Sequence, residues 1–270
     1  MAEFVILLPP AEGKKTGGNP FAPDMFDYRS SSTFNYFNEL NSERRVLIKA
    51  LHDALDDPET DFEALFGVKG DHLEAAIEAN RNVMGAPLMS ALDRYSPGVM
   101  FKAMDFSGLP TGAQRRLLEQ GVIFSGLFGL LRPDDLIPNY KLKMDASLPE
   151  IGRVLSYWKP ALSKVLNARL KDKLVWNLLP GTHLDAWDDD HSYEAMVDVK
   201  FLKMQDGELK PVTHGVKPLR GALVNFIVRE TLEEVEPIFR YEHPAGYRVD
   251  EAACTFDEET RTHTIIMVKR

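Results

Sequence analysis

The chain opens on a continuous apolar block, Phe4-Val5-Ile6-Leu7-Leu8. Directly behind it stands Pro9-Pro10-Ala11-Glu12-Gly13-Lys14-Lys15-Thr16-Gly17-Gly18-Asn19-Pro20, too rich in Pro and Gly for regular structure. This pattern predicts a buried strand feeding a surface loop. From 41 to 55 the apolar positions Val46, Leu47, Ala50, Leu51, Ala54 and Leu55 recur at helical spacing, with Ser42 as the expected N-cap. Between Phe62 and Asn82 two short helical patterns flank Gly67-Val68-Lys69-Gly70, a helix, tight turn, helix. Short helices are predicted at 88–94, 98–104 and 110–119, the last capped by Thr111 and ended near Gly121. Val122-Ile123-Phe124-Ser125 reads as a buried strand, 158–170 as a helix with Pro160 in its first turn, and 173–179 as another buried strand.

The last third alternates. Val197, Val199 and Phe201 interleave with Asp198, Lys200 and Leu202, and Asp206-Gly207 turns the chain back into 209–214, a hairpin with one wet face. Helical spacing returns over 217–231, and a second hairpin, 247–256 with 262–268 across Asp257-Glu258-Glu259-Thr260, closes the chain. Strands and helices mix without a regular βαβ rhythm. The expected fold is therefore a mixed-sheet α/β or α+β-like single domain over 1–270, with helices around a central mixed β-sheet.

Composition narrows the partners. The 270 residues are 44% hydrophobic and 27% charged, enough for a substantial core. A formal charge of -9 argues against a basic, histone-like protein. That charge is uneven: residues 51–63 hold six acids and no Lys or Arg, whereas 132–182 hold nine Lys and Arg against five acids. Any polyanion binding must be local. The single Cys254 makes no internal disulfide, which fits a reducing, cytoplasmic setting, and it is expected to be an inert thiol in a strand. The amino-terminal apolar run is too short and lacks the basic flank of a signal peptide, and no run approaches the roughly 20 residues of a membrane span.

No phosphate-loop, dinucleotide, nucleophile-elbow or HExxH signature occurs. His183, Asp185, Asp188, Asp189, Asp190 and His191 are close in sequence, but a solvated loop is the commoner fate of such a cluster, so no metal and no cofactor are expected. Four segments stand out. Lys14 follows a buried strand, at the edge where sheets place ligands. Arg132 precedes Pro133 after the glycine-containing run Ser125-Gly126-Leu127-Phe128-Gly129, and its planar fork suits phosphate, with Tyr140 nearby in sequence to stack or hydrogen-bond; the plainer alternative is an ion pair with Asp134 or Asp135 that pins the loop. Lys217 and Arg220 open a helix, where the dipole favours an anion. Gly67, Lys69 and Gly70 form a turn able to offer N–H groups to a phosphate backbone, or an ordinary αα-turn.

The blocks Leu7-Leu8-Pro9-Pro10-Ala11-Glu12-Gly13-Lys14, Phe124 through Asp135 with Ile137-Pro138-Asn139-Tyr140-Lys141-Leu142-Lys143-Met144, Tyr157-Trp158 and Lys217-Pro218-Leu219-Arg220-Gly221 resemble, in order, the YaaA family of peroxide stress proteins. The resemblance spans essentially the whole chain. It implies a cytoplasmic bacterial protein that limits iron-dependent oxidative damage during peroxide stress. It further implies an unusual α/β fold with a positively charged cleft, a helix-hairpin-helix-like element and DNA binding. Lys14, Arg132, Tyr140, Lys217 and Arg220 match family motifs and are the cleft candidates; the partner expected is DNA, duplex or branched, bound without sequence preference. The rival expectation is an enzyme acting on a nucleotide or other small phosphorylated ligand in the same cleft, with Tyr140 or Glu12 moving protons. The sequence names no reaction.

Overall fold

The computed structural model describes residues 4–20 and 36–270. Strand β1 (Phe4–Leu8) is wholly buried, as an apolar run without alternation requires of a strand covered on both faces. It pairs in parallel with β3 (Gly121–Ser125) on one side, Leu8 opposite Ile123, and with β8 (Leu174–Asn177) on the other, Leu7 opposite Asn177. Beyond β3 lies the antiparallel β4 (Gly129–Leu131). Beyond β8 lie β9 (Ala195–Gln205) and then β13 (Thr262–Lys269), both parallel to their inner neighbour. β10 (Glu208–Pro211) folds back on β9, and both β11 (Arg248–Val249) and β12 (Thr255–Asp257) run antiparallel to β13. Two small ribbons stand apart, β2 (Met89–Ser90) with β5 (Leu136–Ile137) and β6 (Ser147–Leu148) with β7 (Gly152–Arg153).

The architecture is the expected mixed α/β fold, a central sheet flanked by helices. Between β1 and β3 run α1 (Asn41–Asp56), α2 (Phe62–Phe66), α3 (Asp71–Arg81), α4 (Ala91–Arg94), α5 (Val99–Met104) and α6 (Thr111–Gln120). Then α7 (Val154–Leu170) leads to β8, α8 (Gly181–Leu184) follows it, and α9 (Val216–Glu230) joins the first hairpin to the second. The chain leaves β1 toward β3 but leaves β8 toward β9, so these neighbouring strands send their connections in opposite directions along the sheet. A crevice opens at the carboxyl ends of such a pair, where ligands bind in open α/β sheets.

Several expectations are corrected. Ser42 does not cap α1: the helix continues from a 3-10 turn at Asn38–Leu40, Leu40 holds the cap position, and the Ser42 hydroxyl donates to Glu43 at 2.6 Å instead. Thr111 is the first residue of α6, with Pro110 at the cap. Pro160 is not in the first turn of its helix, because burial of Val154, Leu155 and Trp158 starts α7 four residues earlier; the proline sits in the second turn at the cost of one ladder hydrogen bond. The first arm of the closing hairpin is split by a 3-10 turn at Glu251–Ala253, and there Cys254 accepts from the Ile266 amide at 3.3 Å.

Candidate functional site: a cationic cleft

A cleft of about 610 Å³ lies where the strand order predicts, lined by the segment after β1 (Pro9 to Lys14), Gly126 after β3, and Pro180, Thr182 and His183 after β8. The start of α5, the segment Tyr140 to Asp145 and the start of α9, with Lys217 and Arg220, complete it.

Arg94 fixes the first wall. Its buried guanidinium donates to the carbonyls of Lys15, Gly17, Pro87 and Ile137, while the Lys15 amide donates to the Arg94 carbonyl at 2.8 Å. A Pro/Gly loop is thereby tied down by one side chain together with a short backbone bridge between Asn19 and Leu88. Lys14, held by this loop, is half-buried with Nζ 4.3 Å from the Tyr140 ring centre and 5.5 Å from that of Tyr95, and it donates to the Ala11 carbonyl at 3.3 Å. Burial, reinforced by the charges of Lys141 and Arg94 against that of Glu12, pulls its amine down to about 7. Beneath it the Tyr140 hydroxyl lies 2.7 Å from Ser125 Oγ and 2.5 Å from the Tyr95 hydroxyl, and burial pushes Tyr140 up to about 12. Tyr140 thus stays protonated near neutrality.

The opposite wall alternates. Tyr140, Leu142 and Met144 are buried, and Lys141 and Lys143 between them share the other face of the segment, as period two demands. Asn80, at the end of α3, holds this backbone by accepting from the Lys141 amide at 2.8 Å and donating to its carbonyl at 2.7 Å. Lys141 and Lys143 stand 3.2 and 3.7 Å from the carboxylate of Glu12. Partial burial alone would raise Glu12, but the hydrogen bond and charge of Lys141, with Lys143 and Lys217 beyond, carry it below its ordinary value. Glu12 is therefore an ionised counter-charge.

At the far end two buried nitrogens have no protein partner, Arg220 Nε and His183 Nδ1. Burial lowers Arg220 against the opposing charge of Asp198, and burial draws His183 down to about 4. Unpartnered buried polar atoms in a cationic cleft are incomplete without a ligand or water.

The structure brings together Lys14, Tyr140, Lys217 and Arg220. It does not bring Arg132 to them: that guanidinium makes a two-point contact with Asp134 at 3.0 Å, donates to the Leu118 carbonyl and lies 3.6 Å from the Tyr36 ring centre. This is the loop-pinning alternative. Asp135 completes the pin by accepting from the amides of Tyr36 and Arg132, each at 2.7 Å. The 67–70 turn sits at the rim: Gly67 (φ 62°) ends α2, Gly70 precedes α3, and a Cβ on Gly67 would stand 2.9 Å from Lys143 Nζ. Lys69 faces solvent and pairs with Glu63 at 2.7 Å. Sequence reasoning missed Lys141, Lys143 and His183, although the alternation in Tyr-Lys-Leu-Lys-Met was a usable signal for the two lysines. Among the described residues no group of three or more His, Cys, Asp or Glu is placed to hold a metal, and no helix is long and apolar enough to cross a membrane.

The family described as "Peroxide stress protein YaaA" matches residues 4–253. A UPF0246 protein of Corynebacterium glutamicum is 30% identical over 254 residues, covering 92% of this chain and 95% of its own. One from Flavobacterium johnsoniae is 32% identical over 158 residues, or 57% of this chain and 62% of its own, and one from Streptomyces coelicolor is 28% identical over 184 residues, or 68% and 67%. A family match over nearly the whole chain, together with a relative matched over most of both chains, shows that the chain belongs to the YaaA family of peroxide stress proteins.

Proposed function

We propose that this chain acts in peroxide stress by binding DNA phosphates in the cleft, through backbone and shape and without reading bases, and so limits iron-dependent oxidative damage to DNA. The observation that carries this reading is the convergence of Lys14, Lys141, Lys143, Lys217 and Arg220 on one cleft in a chain of net charge -9. Such a concentration of like charge raises the local potential regardless of the total. The 67–70 turn, beside Lys143, extends the same surface and offers the uncapped amides at the start of α3 to a second phosphate, in the manner of a helix-hairpin-helix. The single thiol fits a cytoplasmic setting.

A second reading has its own support. A volume of about 610 Å³ and a half-buried Lys14 suit a small phosphorylated ligand, a nucleotide among them, as well as a backbone phosphate. Fluorescence anisotropy with a labelled duplex, a branched junction and a competing mononucleotide separates the two. Salt-sensitive binding of duplex or junction supports the DNA reading; binding of the mononucleotide alone supports the second; no binding of any of them removes both.

A further inference from the structure

We infer that Lys14 is a nucleophilic amine that condenses with the aldehyde of a phosphate-bearing open-chain sugar. This rests on the reading of the cleft as a phosphate site and adds what happens there.

The cleft holds four lysines in unlike surroundings. Lys141 and Lys143 face the Glu12 carboxylate in ion-pair contact, and Lys217 stands exposed at the start of α9. Lys14 alone is pressed onto two aromatic faces, and among the described residues no carboxylate is in ion-pair contact with it. The charged or titratable groups around it are Glu12 on its own loop, Arg94 and Tyr95 on and just after α4, and Tyr140 and Lys141 on the opposite wall, with Ser125 of β3 behind Tyr140. The ring faces and Glu12 favour the cation, whereas burial and two neighbouring cations favour the free amine, and the balance places a substantial neutral fraction near pH 7. Desolvation and an adjacent cation are the two devices that make a lysine nucleophilic, and carbonyl carbon is the electrophile to which a primary amine adds reversibly. The other cations of the cleft select the substrate, since Lys141, Lys143, Lys217 and Arg220 favour a carbonyl carried beside phosphate.

In the step itself the lone pair of Lys14 Nζ forms a bond to the aldehyde carbon. The carbonyl oxygen then leaves as water, taking both amine hydrogens, and an imine remains. No oxidant or reductant is consumed. Two sources carry this chemistry, an abasic deoxyribose within DNA and a free sugar phosphate.

The test is reductive trapping. Protein is incubated with cyanoborohydride and, separately, a duplex containing an abasic site, 2-deoxyribose 5-phosphate, or formaldehyde as an aldehyde without phosphate, and the adducts are located by peptide mass spectrometry. The expected result is labelling of Lys14 at about tenfold or more the rate of any other lysine, with a rate that rises between about pH 6 and pH 8. The label is lost from that position in Lys14→Arg and Lys14→Gln, whose folding is checked by thermal melting. Trapping of the duplex assigns the DNA source, and trapping of 2-deoxyribose 5-phosphate alone assigns the small one. Labelling spread evenly over the lysines overturns the inference, and so does preferential labelling of Lys14 by formaldehyde only. If intact duplex binds but neither phosphate-bearing aldehyde is trapped, the inference fails while the phosphate reading stands; if neither binding nor trapping occurs, both fail.

Discussion

At the scale of the residue, the site depends on side chains whose chemistry is set by burial. Lys14 is charged below about pH 7 and increasingly neutral above it. Phosphate binding in the cleft is therefore expected to tighten as pH falls from about 8 to 6, the opposite of the trapping rate, and isothermal titration with a short duplex at a series of pH values reads it. Affinity independent of pH over that range would remove Lys14 from the binding set. His183 acts on stability, and its response to acid is the opposite one. Its folded value, about 4, lies below the unfolded value of about 6.5, so the unfolded chain takes up the proton first and stability is lost as pH falls from about 6.5 toward 4. Replacing His183→Gln should flatten urea-unfolding free energies over that window by about 1–2 kcal/mol. Arg94 is the structural counterpart. Arg94→Met abandons four carbonyls, so a loss of about 3 kcal/mol is expected together with weaker phosphate binding as the Lys14 loop loosens; a change under about 1 kcal/mol would show that the loop is held by other means.

At the scale of the element, packing decides where the cations stand. Gly221 in α9 lets α5 cross closely, and a Cβ there would lie 2.2 Å from the Met100 carbonyl oxygen and 2.9 Å from Ala103 Cβ. Helix propensity alone would have Gly221→Ala stabilise the protein by about 1 kcal/mol. The clash predicts the reverse, a loss of about 1–3 kcal/mol by thermal or urea unfolding, with weaker phosphate binding because Arg220 and the start of α5 both line the cleft. The buried strands and amphipathic helices were legible because each has a local signature: an unbroken apolar run for β1, a helical stripe for α1, Asp-Gly at the β9–β10 turn. Caps were less legible, since Ser42 and Thr111 satisfy the pattern of an N-cap while the chain upstream decides whether the helix has already begun. The site was legible in part. Lys14, Lys217 and Arg220 sit at strand or helix ends, where position implies a role. Arg132 looked equally presented, but Asp134, two residues on, had the geometry to claim it. Lys141 and Lys143 carry a period-two signal, yet nothing local tells which face meets a strand end more than a hundred residues away.

At the scale of the whole molecule, the net charge of -9 and the cationic cleft are compatible because acids are concentrated in 51–63 and near the carboxyl end, while the cleft sets Glu12 and Asp145 against five cations. The fold concentrates the bases: the connections leaving β1 and β8 part at the centre of the sheet, and segments far apart in sequence meet above them. The central claim is that these cations act together on phosphate. The most direct measurement is the affinity for a labelled duplex across a salt series, for the wild type, Lys141→Gln, Lys217→Gln and, as a distant control, Lys49→Gln on the exposed face of α1. Log affinity should fall linearly with log salt in the wild type. Its slope should lessen by about one for each of the two cleft substitutions and stay unchanged for the control. A flat salt dependence, or slopes that all four proteins share, would contradict the account.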